Sequence, residues 1–248
     1  MQVADRVHRL GDRYVNWYVV EDGGRLTVLD AGFPGHWEQL PALLRALGRG
    51  LGDVDAVLLT HHHPDHLGSA ERIRREARAR VLIHEADAPG ARRGGVNPPA
   101  LGVLRGLHRP FLARYLVHIA RVGGLRVPAI ADVGTFADGE RLDVPGRPRV
   151  IHAPGHTPGE CALHLEDRDA LFSGDALVTL DTATGHVGPS LLTAPFAGDA
   201  ATALASLERL KATGAGALLP GHGEPWPGGV AEAVAVARRR ATAPGRGA

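Results

Sequence analysis

The sequence predicts an α/β (α+β) protein in which two mixed β-sheets pack face to face and helices flank them. Three observations support this class. Short apolar runs bounded by turn residues indicate buried strands, these runs fall into two groups, and segments with helical spacing follow each group. No clear linker separates the two groups, so we expect one domain over residues 1–248.

The first half begins with a predicted hairpin. Residues 14–20 and 25–30 are apolar runs separated by EDGG, which is typical of a hairpin turn. The run VDAVLL at 54–59 is almost continuously apolar, which indicates a buried strand. The other elements predicted here are a helix at 37–47, a helix at 67–79 and a strand at 81–84.

Residues 90–130 differ from their surroundings. They open with PGARRGGVNPPA and continue with an amphipathic helical pattern, which predicts a helical insertion or lid. An ordinary helical connection packed on the core fits the same pattern. The apolar side chains in this segment would form a wall beside a site, or pack against the core or a second subunit; they are Leu101, Leu104, Phe111, Leu112 and Tyr115.

The second half again places strands before helices. Its strands are expected at 140–144, 149–152, 161–165, 170–173 and 217–219, and its helices at about 199–213 and 228–240. The last residues, TAPGRGA, are expected to be frayed.

Composition excludes several classes of protein. The chain has 28 basic and 27 acidic residues and a net charge of +1, so no nucleic-acid partner is expected. No apolar run approaches the roughly 20 residues of a membrane span, and the N-terminus has no signal-peptide pattern. The single cysteine, Cys161, excludes an internal disulfide. We therefore expect a cytoplasmic protein.

Four predicted strands end in turns that carry histidine or aspartate. The turns read THHHPDH, APGHTPG, SGD and PGHG. Imidazole nitrogens and carboxylate oxygens are ligands of zinc and similar cations. His61 and His63 are two residues apart and point the same way in an extended chain, whereas Asp65 and His66 follow the turn at Pro64. One loop can therefore serve two metals.

These motifs, in this order from about residue 14 to 235, resemble those of the metallo-β-lactamase superfamily. The resemblance implies a four-layer αββα sandwich with metals at one edge of its two sheets. It implies two sets of ligands and one bridge: His61, His63 and His156 for the first metal, Asp65, His66 and His222 for the second, and Asp175 between them. It also implies that Asp30 orients the site from behind the ligands; a turn-capping aspartate is the alternative. His62 lies between two ligands, so we expect it to face away, as a supporting or surface residue.

The expected activity follows from metal chemistry. Two divalent ions, zinc first and iron or manganese as alternatives, lower the pKa of a bridging water and yield hydroxide near neutral pH. That hydroxide would attack an electrophilic carbonyl or phosphorus. Asp65 is the expected catalytic residue, because it can orient the nucleophile and receive its proton. A binding protein with a relic site is the non-enzymatic alternative.

The expected class of substrate is narrowed mainly by differences between this sequence and known branches of the superfamily. Asp175 counts against a β-lactamase, and the chain lacks the C-terminal helical region of glyoxalase II and the tyrosine that lactonases carry after their bridging aspartate. We expect hydrolysis of a small ester, thioester or lactone. The alternatives are a mononuclear iron oxygenase or sulfur-transforming enzyme similar to persulfide dioxygenases, a β-lactamase, or a phosphodiesterase. Specificity is expected to lie in 90–130 and 176–196, and a homodimer is possible.

Overall fold

A computed structural model describes residues 1–95, 97 and 100–242. Its first sheet has seven strands in sequence order, antiparallel from β1 to β4 and parallel from β4 to β7. These strands are β1 (Gln2–Ala4), β2 (Val7–Gly11), β3 (Asn16–Asp22), β4 (Arg25–Leu29), β5 (Val54–Leu58), β6 (Arg80–His84) and β7 (Gly134–Phe136).

The second sheet has four strands, and a separate two-stranded ribbon follows its third strand in the chain. The four are β8 (Arg149–His152), β9 (Cys161–Leu165), β10 (Ala170–Gly174) and β13 (Ala217–Pro220). Their order is β13-β10-β9-β8, with β13 parallel to β10 and the other pairs antiparallel. The ribbon pairs β11 (Val178–Asp181) with β12 (His186–Ser190).

Eight α-helices lie within the described residues. They are α1 (Gln39–Ala46), α2 (Pro64–Leu67), α3 (Ala70–Ala77), α4 (Ala88–Ala91), α5 (Ala100–Gly106), α6 (Pro110–Arg121), α7 (Ala200–Lys211) and α8 (Gly229–Ala241). None of them is long and apolar enough to cross a membrane.

The buried apolar residues divide into layers, which shows the αββα sandwich. Strand β3 illustrates the division, because successive side chains of a strand point to opposite faces. Trp17 and Val19 pack toward α1 and α3, whereas Tyr18 and Val20 pack against the second sheet. A third cluster lies between the second sheet and helices α7 and α8. The predicted fold class is therefore confirmed.

The predicted first hairpin is present between β3 and β4. Its turn residues, Gly23 and Gly24, have φ values of +56° and +80°. A tight two-residue hairpin turn favours glycine at such positive φ values, because glycine has no Cβ to clash. The two glycines of EDGG therefore determine where the turn lies and allow its backbone conformation.

The predicted strand at 140–144 is wrong. Only Arg141 there forms an isolated bridge, to Arg149, and the strand lies earlier, at β7. Leu142 and Val144 are buried between the two sheets. Their alternation resembles that of a strand, but this segment has no continuous ladder partner.

Several other boundaries differ from the prediction. The helix expected at 67–79 begins at Pro64 and is divided into α2 and α3. The short strands β1, β2, β11 and β12 were not predicted. The frayed tail expected at 242–248 lies outside the described residues, apart from Thr242.

Residues 90–130 contain the whole of α5 and α6 and the end of α4. Leu112, Tyr115, Leu116 and Ile119 follow the helical spacing i, i+3, i+4, i+7, and they form the packed face of α6. Leu101 and Leu104 are 59% and 62% exposed, so they form no wall at a site. Of the five apolar residues predicted to form a wall, the two that are buried, Leu112 and Tyr115, lie on α6.

Candidate metal centre

The seven predicted ligands converge on one edge of the sandwich, where strands of both sheets end. β5 leads into His61 and His63, and Pro64 then starts α2, which carries Asp65 and His66. Proline is favoured at the first position of a helix, because its missing N–H has no partner there in any case. The other three ligands follow strands of the second sheet: His156 after β8, Asp175 after β10 and His222 after β13.

The first group of donors contains His61, His63 and His156. One nitrogen of each lies within 4.8 Å of the others, and His63 Nδ1 is 2.7 Å from His156 Nε2. The second group contains Asp65, His66 and His222, with donor atoms within the same limit. These two groups match the sets implied by the resemblance.

Asp175 lies between the two groups. Its carboxylate oxygens lie 4.0 Å from Nε2 of His61, 3.5 Å from that of His66, 3.4 Å from that of His156 and 3.0 Å from that of His222. A carboxylate that reaches imidazoles of both groups is placed to serve two cations at once.

Hydrogen bonds behind the rings orient the imidazoles. His66 Nδ1 lies 2.7 Å from Asp30, His156 Nδ1 lies 2.9 Å from the carbonyl oxygen of Phe196, and His222 Nδ1 lies 2.5 Å from that of Tyr14. A ring whose Nδ1–H donates to such an acceptor presents Nε2 as a lone pair. Asp30 therefore contacts the ring of one predicted ligand from behind, and it also accepts hydrogen bonds from the amide and the hydroxyl of Thr60.

The buried donor atoms fit a divalent cation. His61 Nε2, His66 Nε2 and Asp175 Oδ1 are buried and have no hydrogen-bond partner. Buried polar atoms are almost always satisfied, so three together at one point indicate a missing partner. Because all three are metal-ligand atoms aimed at the same centre, the residues fit the metal that the sequence predicts.

The electrostatics of the centre also favour cations. Burial lowers the pKa of His61 and His63 well below the usual value, and neighbouring imidazoles lower it further, so both rings are neutral. Burial also disfavours a charged His66, but the nearby carboxylates outweigh it and raise its pKa to about 10. Burial would raise the pKa of Asp175, but His222 and His66 hold it below its usual range. The carboxylates around His66 therefore favour positive charge at this point, which a proton on Nε2 supplies without a metal and which a bound cation would replace.

His62 lies outside the two donor groups, and its side chain faces Asp87. Nδ1 of His62 lies 3.0 Å from Asp87, which also accepts hydrogen bonds from the hydroxyl of Thr157 and the amide of Gly159. Asp87 therefore ties the histidine loop of the first sheet to the His156 loop of the second. Sequence reasoning missed it, although it follows the end of β6 at the same edge.

Glu160 is a second carboxylate that sequence reasoning missed. It is fully buried, lies 3.2 Å from His61 Nδ1, and accepts a hydrogen bond from the amide of Asp175. Burial, followed by the charge of Asp175, raises its pKa well above the usual value. Burial therefore favours the neutral acid at Glu160, which needs no compensating cation. Its signal in the sequence was a lone glutamate directly before the apolar strand β9.

A cavity of about 160 Å³ opens above the donors. His63, Asp65, His156, Asp175 and His222 form its floor. Of the five residues predicted as an apolar wall, only Tyr115 lines it, and its hydroxyl donates to Asp65 Oδ2 at 2.9 Å. Leu112 is buried in the packing behind, and Phe111 faces another cavity. The region 176–196 contributes Thr182, Leu192 and Phe196 to the lining of this cavity.

The family model of the metallo-beta-lactamase superfamily matches residues 10–222. The chain belongs to the metallo-β-lactamase superfamily. This membership accounts for the sandwich and for the order in which the histidine and aspartate motifs follow its strands.

Two relatives differ in how much of their length this chain matches. The probable metallo-hydrolase YflN of Bacillus subtilis (strain 168) is 28% identical over 92% of this chain and 87% of that protein. A hydroxyacylglutathione hydrolase of Stenotrophomonas maltophilia (strain R551-3) is 31% identical, but the match covers 68% of this chain and 48% of that protein. This chain thus matches only about half of that hydrolase.

Solved structures of the superfamily agree with the fold. A metallo-beta-lactamase family protein of Thermus thermophilus is 26% identical, with a TM-score of 0.69 over 95% of this chain and 79% of its own. TTHA1623, solved in a di-iron-bound form, is 28% identical, with a TM-score of 0.63 over 96% and 98% of the two chains. Together, these relatives support an enzyme of the metallo-hydrolase kind.

Proposed function

We propose that this protein is a metal-dependent hydrolase that cleaves a small ester, thioester or lactone with two divalent ions, zinc first. The observation that carries the proposal is the position of Asp175, whose carboxylate contacts imidazoles of both donor groups. A single-metal site would need only one of these groups. The names of the relatives, which include a probable metallo-hydrolase and a hydroxyacylglutathione hydrolase, support the hydrolase class.

When bound, two such ions supply Lewis acidity, which polarises a substrate carbonyl and lowers the pKa of water toward neutrality. The protein's own part is to hold the ligands rigidly and to limit access of bulk water. The donors sit on strand ends, and all except His63 and Asp65 are buried. Rigid placement of this kind avoids reorganisation during the reaction.

Asp65 is the proposed proton acceptor. It lines the cavity floor, and its Oδ2 lies 3.5 Å from His222 Nε2. The hydroxyl of Tyr115 donates to the same oxygen and so fixes the direction of the carboxylate. A carboxylate held beside the reacting water can accept a proton as the water attacks.

The proposal is tested by elemental analysis of the purified protein together with a screen of thioesters, lactones, aryl esters, phosphodiesters and β-lactams. We expect two zinc-like ions per chain and hydrolysis that continues without oxygen. Asp65→Asn should lower kcat by about 10²-fold or more, as expected on removal of a general base. Wild-type rates in Asp65→Asn, together with full metal occupancy, would contradict the role of Asp65.

The alternatives give different results in the same experiment. One iron per chain with oxygen consumption would support the mononuclear iron oxygenase. Cleavage of β-lactams or phosphodiesters alone would support those branches, and no bound metal at micromolar supply would support the relic site. The possible homodimer stays a prediction.

A further inference from the structure

The walls of the cavity above the donors are apolar. They combine side chains of the core with side chains of α5, α6 and the segment after β12, namely Phe33, Val103, Leu116, Ile119, Leu192 and Phe196. The polar groups beside them are neutral, from Asn97, Thr182 and the Tyr115 hydroxyl. Polar groups are thus few, while apolar contact is available on several sides.

Charge is distributed unevenly between floor and walls. Among the described residues that line the cavity, none is lysine or arginine, and the carboxylates are Asp65 and Asp175 in the floor. A carboxylate or phosphate placed against these walls would lose its hydration without gaining a cationic partner, which is costly.

We infer that the substrate carries an uncharged, apolar acyl group of about six carbons, which lies against α6 while its carbonyl lies over the donor floor. This inference rests on the proposed hydrolase function and narrows its substrate class. It disfavours substrates whose distal end is ionised, such as peptide thioesters with free carboxylates.

The size of the group follows from the volume of the cavity. An apolar cavity of roughly 150 Å³ accommodates one benzene ring, which has six carbons. The cavity here is about 160 Å³. Each methylene buried against the walls should raise affinity about four-fold, so affinity should rise along an acyl series until the space is filled.

The first test is a series of p-nitrophenyl esters assayed with the metal-loaded enzyme. We expect kcat/KM to rise from acetate through butyrate to hexanoate, and to gain little at octanoate. The mono-p-nitrophenyl ester of adipic acid has the same six-carbon chain with a terminal carboxylate. It should react at least about ten-fold more slowly than hexanoate, because its carboxylate would lose hydration against the apolar walls without gaining a cationic partner.

The second test fills the cavity from the wall. Ile119→Phe adds bulk on the cavity face of α6, and Val117→Phe adds the same ring on the opposite face, where Val117 is 51% exposed. Ile119→Phe should lower kcat/KM for hexanoate about ten-fold and leave acetate within two-fold. Val117→Phe should change neither. Melting temperature and metal content should be measured for both variants, and Leu116→Phe provides a second cavity-face variant if Ile119→Phe misfolds.

Failure of this inference is distinguishable from failure of the proposed function. Equal or faster cleavage of the adipate ester, or equal effects of the two phenylalanine variants, would overturn the inference and leave the hydrolase intact. If the metal-loaded enzyme cleaves no ester, thioester or lactone, the proposed function itself falls. A flat chain-length profile would also overturn the inference, because it would mean that the acyl group does not enter the cavity.

Discussion

The donor residues and the helices α5 and α6 differ in how the chain holds them. The donors follow strand ends, and their rings are fixed by hydrogen bonds from behind, such as that between His66 and Asp30. Helix α5 instead exposes Leu101 and Leu104, and α6 packs through one face only. The candidate metal centre is therefore built on the deeply packed part of the molecule, and the helical wall of the cavity on a less deeply packed part.

One contact joins the two regions directly at the site. The Tyr115 hydroxyl on α6 donates to Asp65 on the donor floor. Substitutions can remove a donor, a support behind a donor, or this connecting hydrogen bond. If the two regions differ as described, the effects should decrease in that order.

The largest effect is expected from Asp175→Asn, because this carboxylate contacts both donor groups. The variant should lose metal occupancy at both positions and activity by about 10³-fold, which corresponds to several kcal/mol of lost stabilisation by the metals. Elemental analysis and hydrolysis rates measure the two losses.

Asp181→Asn is the matched control for Asp175→Asn. Asp181 is also buried, but it accepts hydrogen bonds from its own loop, at Ala183 and Thr184, and lies outside the donor groups. This variant should lower the melting temperature and leave the metal stoichiometry unchanged. Full metal occupancy in Asp175→Asn would contradict the bridging position.

Asp30→Asn should give an intermediate effect. Asp30 touches no substrate and acts through His66, whose ring it orients. Loss of such a supporting carboxylate typically weakens metal affinity about 10- to 100-fold. Competition with a chelator measures this affinity. Asp87→Asn is the comparison, because its partner His62 lies outside the donor groups; a larger loss in Asp87→Asn would contradict the assignment.

The smallest effect is expected from Tyr115→Phe. The variant keeps the ring in its packing and removes only the hydroxyl that directs Asp65. The low end of the range for a hydrogen bond to a charged group, about 1.5 kcal/mol, applies because Asp65 is only partly buried, so kcat should fall about ten-fold. KM and metal content should change little. Tyr14→Phe, in the same aromatic cluster, should leave kcat unaltered. An unchanged kcat in Tyr115→Phe would show that the two regions work independently.

The fold and the donors were predictable because their signals are local. Buried strands give apolar runs, and each strand end is followed by a compact motif such as THHHPDH. Pro64 also marks the point where the chain turns into α2 and directs Asp65 toward the second donor group. These features depend on residues adjacent in sequence.

The rest depends on contacts between distant segments. Asp87 and Glu160 gain their roles only when loops of different sheets meet, and nothing beside them in sequence identifies those partners. The same holds for Tyr115. The helical pattern predicts that it belongs to an apolar face, but it does not predict that its hydroxyl contacts Asp65. The segment 140–144 was predicted wrongly for the same reason. Its alternating apolar residues are indeed buried, but whether a strand lies beside it depends on distant parts of the chain.

The distribution of donors over the two sheets has a consequence for assembly. Each donor group takes two residues from the turn after β5 and one from a loop of the second sheet, His156 or His222. Neither half of the chain, produced as a separate fragment, would therefore contain a complete donor group. Each cation would act as a cross-link between the halves, so uptake of metal would follow docking of the sheets and its removal by chelators would loosen them.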